Sequence, residues 1–335
     1  MQTPIADVTI IGGGPTGLFA AFFAGMRGLS TRIVDSLPEL GGQLMALYPE
    51  KYIYDVGGFP KVLAKDLAQG LIRQAMQFSP EIVIDEEVKH LERADDDTWV
   101  LRCRTGDYAS RAVIVAGGKG AFEPRILDVP GYPELLYNGV HYAVRDPQEY
   151  AGKRVMIVGG GDSALDWALI LKDVCAEVYL AHRREGFRAH EATVSQMEAA
   201  CAAGEMRLLT YTEVREIHGA GTVDGVTVFD NRSDEDERLE IDAVLTFLGF
   251  KPDLGPIKTW GLELDGNRIK VDALMRTNLT GVFAAGDVVD YEGKLDLIAT
   301  GFAEAAIAVN NAVRFVNPDA RVNPGHSTSL AVFKD

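Results

Sequence analysis

Val8-Thr9-Ile10-Ile11-Gly12-Gly13-Gly14-Pro15-Thr16-Gly17 is the stretch that decides the fold. Four β-branched residues run into a glycine cluster, and a small, apolar run from Leu18 to Gly28 follows. That order predicts a buried strand, a tight turn and a packed helix, the opening of a dinucleotide-binding βαβ unit. Gly12 permits the sharp turn, Gly14 lets the backbone approach a pyrophosphate, and Gly17 lets the helix lie close on the strand. Phosphates would sit at the helix N-terminus, where unpaired N–H groups and the helix dipole favour negative charge. The next strand, Thr31-Arg32-Ile33-Val34, ends in Asp35, at the spacing of a ribose-binding acid.

The pattern recurs. Val155-Met156-Ile157-Val158 is a strand, Gly159-Gly160-Gly161-Asp162-Ser163-Ala164 a turn, and Leu165 to Leu171 a helix. Here Ala164 takes the close-packing position. The strand after it, Glu177 to Ala181, ends in His182-Arg183-Arg184, with Arg188 close behind, and not in an acid. An acid hydrogen-bonds a free ribose and repels a 2′-phosphate, whereas arginines bind that phosphate. The first unit therefore suits a dinucleotide with a free ribose, and the second suits NADP. The competing expectation is that these arginines form surface ion pairs with Glu185 or Glu191.

With 335 residues, 47% of them hydrophobic and 24% charged, the chain has room for two soluble domains. A net charge of -16 argues against nucleic acid or an anionic membrane as the main partner. No basic segment followed by an apolar run opens the chain, and Leu297 to Val316 is too interrupted to span a bilayer. Cys103, Cys175 and Cys201 are far apart, with no metal-binding or redox spacing, so a reduced, cytoplasmic protein without a metal site is expected. Coarser patterns place a helix over Lys61–Phe78 and a solvated hairpin tip at Ser233–Glu237. Gly117–Gly120 and Gly249–Pro252 look like crossovers between domains.

The first glycine motif, Gly41-Gly42-Gln43-Leu44, the inserted second motif with its arginines, and Gly281-Val282-Phe283-Ala284-Ala285-Gly286-Asp287 together resemble the low-molecular-weight thioredoxin reductases over nearly the whole chain. Those enzymes carry a Cys-x-x-Cys just ahead of the second glycine motif. Gly139 to Asp146 has no cysteine there, which removes any relay from flavin to a protein dithiol. With Gly42 to Asp55, Gly161 to Ala168, Arg188 to Glu191 and the tail Pro324 to Thr328, the chain resembles the thioredoxin-reductase-like ferredoxin–NADP reductases.

The resemblance implies an α/β protein of two Rossmann-like, three-layer domains. An NADP(H) domain (119–247) would be inserted into a discontinuous FAD domain (1–118 and 248–335). It implies that Gly12, Gly14, Thr16, Gly17, Asp35, Gln43, Tyr48, Val88, Phe122, Gly286, Asp287 and Thr328 line the FAD site. Tyr48 would stack on one face of the flavin and His326, from the tail, near the other. Gly159, Gly161, Asp162, Ser163, Ala164, His182, Arg183, Arg184 and Arg188 would hold NADP. The implied reaction passes a hydride from NADPH to flavin N5 and then single electrons to ferredoxin or flavodoxin, with no residue acting as acid or base. Lys51, Lys61, Lys65 and Arg73 are candidates for docking an acidic ferredoxin. A homodimer is implied by resemblance alone. The rival activities are an NADPH reductase for flavodoxin, free flavin or ferric iron, and a non-catalytic NADP-sensing flavoprotein.

Overall fold

Strands Ala6–Ile11 and Thr31–Val34 are rich in β-branched residues because both faces of their sheet are covered. Ile10 pairs in parallel register with Ile33 on one side and Ile114 on the other. The computed structural model of the protein describes residues 4–94, 98–144, 146–321, 326–329 and 333. These divide into two compact units, Met1–Phe122 with Pro252–Asp335, and Glu123–Lys251.

In the first unit the parallel strands run in the order Glu81–Val83, Thr31–Val34, Ala6–Ile11, Asp107–Val115. The free edge of Asp107–Val115 is shared. Its first half pairs antiparallel with Trp99–Cys103, and its second half pairs parallel with Val282–Ala284. One face of the sheet packs on helices Pro15–Met26, Ala64–Met76 and Ile298–Val316, around Val8, Ile10, Leu18, Leu67 and Val309. The other face packs Val34, Val113 and Val115 against Leu101, Trp260 and Ile269. Chain order reverses direction at Ala6–Ile11, so a crevice opens beyond the carboxyl ends of the central strands.

The turn after the first strand requires glycine twice. Gly12 has a φ of +112°, in the region side chains avoid. A Cβ on Gly17 would come inside 3.0 Å of the Gly12 carbonyl oxygen, closer than real Cβ contacts allow. Pro15 occupies the first helical turn, where its missing N–H has no intrahelical partner to lose. The helix expected from Lys61 begins at Ala64, because Val62–Leu63 pairs with Tyr52–Ile53 as a short antiparallel ribbon.

The second unit has a five-stranded parallel sheet in the order Val140–His141, Ala243–Thr246, Arg154–Val158, Glu177–His182, Arg207–Thr210. Helices Asp162–Leu171 and Glu191–Ala202 cover one face through Leu165, Trp167, Ala168 and Met197. A three-stranded antiparallel sheet, Thr212–His218, Gly225–Asp230 and Asp236–Leu239, packs Val214, Ile217, Val226 and Val228 into the core on the other. Asp236 and Glu237, expected at a hairpin tip, belong to the third of these strands. Among the described residues no helix is long and apolar enough to cross a membrane.

Gly17→Ala is expected to cost about 3 kcal/mol through overpacking against backbone that cannot retreat. Thermal unfolding of the purified variant checks this, and an unchanged midpoint would contradict the packing described.

Candidate functional site

Asp35 follows its strand and turns its side chain back to the glycine turn. Its carboxylate accepts the N–H of Gly13, and through Oδ1 the N–H of Leu37 at 2.7 Å. Burial pushes its pKa up, and the two N–H donors oppose that shift. A carboxylate fixed beside a glycine turn can accept ribose hydroxyls and repels an added phosphate. Helix Pro15–Met26 has Gly14 at its N-cap and no side chain capping it. Its first-turn N–H groups thus face the crevice without a side-chain acceptor, the arrangement a pyrophosphate fits.

Thr16 lies against Gly286 and Gly301, and a Cβ on either glycine would come inside 3.0 Å of its hydroxyl. The Gly286–Asp287 turn is also held from the last helix by Glu304. That carboxylate accepts the Gly286 N–H, the Tyr291 hydroxyl and the Lys294 ammonium, each at 2.7 Å. The Lys294 and Glu304 side chains are only 3% and 2% exposed, so the ion pair is buried whole. Burial, then the charge of Asp296, raises the pKa of Asp287, while Lys119, Lys294 and Arg268 pull it back. Arg268 grips Asp296 through two nitrogens at 2.9 and 2.8 Å, and Lys119 approaches the same carboxylate at 3.4 Å.

Tyr48 is half-buried. Burial first, then the negative charges of Asp287 and Asp55, pushes its phenol up to about 12. Tyr48 and Asp287 thus share one electrostatic neighbourhood. Gln43 reaches toward Gly118, its amide nitrogen 3.1 Å from where a Cβ on that glycine would stand. Val88 is buried in the core. His326 and Thr328 are exposed, and among the described residues neither makes a hydrogen bond or ring contact with the rest of this set. The side chain of Phe122, and Pro324 and Gly325 of the tail, lie outside the described residues. Of the basic candidates, Lys65 pairs with Glu50 at 2.6 Å and Lys61 lies 4.7 Å over the Tyr52 ring.

The second unit repeats the uncapped helix start, with Gly161 at the N-cap of Asp162–Leu171. No atom lies within 4 Å of where a Cβ on Gly161 would stand, so the approach to those N–H groups is open. Asp162 accepts the His190 N–H at 3.0 Å, Ser163 is exposed, and Ala164 is buried against Gly159. His182 stacks on Phe187 at 4.7 Å and fills the space beside Gly160, where a Cβ would collide with its ring. Burial lowers its pKa, the hydrogen bond to the Gly186 carbonyl opposes that, and the positive charges of Arg183, Arg184 and Arg188 lower it further. Arg183, Arg184 and Arg188 are exposed, and among the described residues none has an ion-pair partner. The expected competitor Glu185 is engaged elsewhere, by the Tyr211 hydroxyl at 3.0 Å.

Two uncapped helix starts, each behind a parallel strand, thus stand beside opposite charges. The pyridine nucleotide-disulphide oxidoreductase family model matches residues 6–312. The chain belongs to that family. It is 53% identical over 331 residues, 99% of both chains, to a ferredoxin–NADP reductase of Thermus thermophilus. It is 50% identical to ferredoxin–NADP reductase 2 of Shouchella clausii over 98% of this chain and 99% of that one. Among solved structures, T. acidophilum thioredoxin reductase superposes with a TM-score of 0.78 at 26% identity, covering 93% of this chain and 98% of that one. The chain is therefore an α/β protein with two Rossmann-like domains, one inserted into the other.

Sequence reasoning did not find Tyr291, Lys294 and Glu304. Glu304 could have been singled out as an acid between small apolar residues in Leu297 to Val316. Glu304→Leu leaves Lys294 buried without its counter-charge, and a loss of about 3–5 kcal/mol is expected. Lys294→Met combined with Glu304→Leu removes the stranded charge and should recover part of it, the Gly286 N–H and the Tyr291 hydroxyl still lacking their acceptor. Urea unfolding of the two variants checks the coupling, which is absent if the double variant falls as far as the single.

Proposed function

We propose that the protein is an FAD-dependent ferredoxin–NADP(+) reductase that moves electrons between NADPH and ferredoxin. The observation that carries this reading is the contrast between the two glycine turns. One ends at a carboxylate bonded to the turn itself, the other at three arginines without ion-pair partners among the described residues. The names of relatives 45–53% identical over nearly the whole chain support the choice of ferredoxin as partner.

In this reading the unit of Met1–Phe122 and Pro252–Asp335 holds FAD, and Glu123–Lys251 holds NADP(H). Gly12, Gly14 and Gly17 let the pyrophosphate reach the first helix, and Asp35 takes the ribose hydroxyls. Thr16, Gln43, Val88, Phe122, Gly286, Asp287 and Thr328 line the remainder. Tyr48, protonated at any working pH, offers the flavin a neutral aromatic face, and His326 covers the other. Gly159, Gly161, Asp162, Ser163 and Ala164 receive the NADP pyrophosphate, and His182 braces the turn that presents Arg183, Arg184 and Arg188 to the 2′-phosphate. Bound FAD supplies the conversion between a two-electron hydride donor and a one-electron acceptor. No side chain is required to move a proton. We assign the protein to the cytoplasm, where unpaired cysteines persist, and to a homodimer by resemblance.

The cysteines take no part in this reading. Burial pushes the Cys103 thiol up to about 12 and Cys175 up to about 11, so neither supplies a thiolate at neutral pH. Replacing Cys103, Cys175 and Cys201 together by Ala should leave turnover with ferredoxin within about twofold, since no thiolate carries electrons. Loss of activity in a folded triple variant would return a dithiol route to consideration.

The function itself is tested by NADPH-driven reduction of cytochrome c with ferredoxin, flavodoxin, free flavin or ferric citrate as carrier. Ferredoxin should support the highest kcat/KM. A higher value with free flavin or ferric citrate would favour the rival reductase. Arg183→Ala with Arg184→Ala should raise the NADPH KM on the order of 100-fold and leave NADH unchanged. Equal losses with both nucleotides would contradict the 2′-phosphate assignment.

A further inference from the structure

Glu185 is the only carboxylate within the turn His182–Arg188. Left to itself beside three arginines, it would pair with one of them and repel any phosphate they bind. Among the described residues it pairs with none of the three arginines. The Tyr211 hydroxyl donates to its Oε2 at 3.0 Å.

Tyr211 is itself held from three sides. It joins strands Arg207–Thr210 and Thr212–His218 with a φ of +57°, a conformation that a non-glycine residue keeps only when its surroundings enforce it. The Arg232 guanidinium lies 3.9 Å from the centre of its ring. Arg232 is in turn fixed on both oxygens of Asp230, at 3.1 and 2.6 Å. The Asn231 N–H donates to the Tyr211 carbonyl at 2.7 Å. The Asn231 side-chain amide donates to the Arg183 carbonyl and to Glu213, both at 2.9 Å. The turn at residues 230–232 therefore reaches the arginine turn directly at the Arg183 carbonyl and, by way of Tyr211, at the Glu185 carboxylate.

We infer that Tyr211, with Asn231 and Arg232 behind it, is a positioning residue for nucleotide selectivity, sequestering Glu185 so that Arg183, Arg184 and Arg188 stay available to a 2′-phosphate. The inference rests on the proposal that these arginines take that phosphate. It assigns the selectivity of the site partly to the start of an antiparallel sheet that carries no glycine motif.

The test is calorimetric titration of the holoenzyme with NADP+ and with NAD+, which differ only in that phosphate. Tyr211→Phe removes one hydroxyl. It should weaken NADP+ about fivefold, the scale of one exposed charge interaction, and leave NAD+ unchanged. Glu185→Gln removes the charge that Tyr211 restrains, so Tyr211→Phe combined with Glu185→Gln should bind NADP+ as the parent does. The inference is overturned if Tyr211→Phe leaves the NADP+/NAD+ ratio intact, if both nucleotides weaken alike, or if the double variant stays as weak as Tyr211→Phe. Arg183→Ala with Arg184→Ala, titrated in parallel, separates the two levels. If that variant loses NADP+ while Tyr211→Phe does not, only the positioning role fails. If it keeps its preference for NADP+, the phosphate assignment itself fails.

Discussion

How closely the Pro15–Met26 helix can approach the end of the first strand governs the first unit. Gly17 stands where any side chain would strike the Gly12 carbonyl, and Gly12 itself takes a φ of +112°. This contact lowers the helix onto the sheet and aims its uncapped N-terminus into the crevice where strand order reverses. Thr16, one residue earlier, then meets Gly286 and Gly301 of the last segment. The distant Gly-Asp turn is thereby registered against the first turn of the first helix.

A similar backbone device appears in both units, and the charge beside it differs in sign. Asp35 spends part of its hydrogen-bonding capacity on Gly13 and Leu37, which fixes its carboxylate beside the first cradle. In the second unit, Glu185, one of the two carboxylates expected to compete for the arginines, is bonded to Tyr211. On the proposed assignment, a buried carboxylate faces the ribose at the first cradle and three exposed arginines face it at the second, the distinction a 2′-phosphate would read.

Much of this was legible in the sequence because it depends on local geometry. Glycines at fixed offsets after an apolar strand have few other uses, and the residue ending the next strand falls at a predictable place. The insertion of one Rossmann-like domain into another came from the family resemblance that the two motifs and the closing Gly286-Asp287 carry. What escaped notice depends on contacts between distant residues. Glu304 looked like an interruption in an apolar helix, and nothing in the sequence marked Lys294, yet burial joins them under Gly286. Glu185 looked like a competitor for the arginines, because nothing in its neighbourhood along the chain announces Tyr211, 26 residues away. The helix after Lys61 started late for a comparable reason: cross-strand pairing with Tyr52–Ile53 outweighed helical spacing.

The central claim is that the first cradle holds a flavin which NADPH, and not NADH, reduces. Anaerobic mixing of the purified holoprotein with each nucleotide, followed by the visible absorbance of the flavin, tests it most directly. The account predicts rapid bleaching by NADPH, much slower bleaching by NADH, and return of the colour when oxidised ferredoxin is added. A bound flavin that NADPH leaves fully coloured would contradict it.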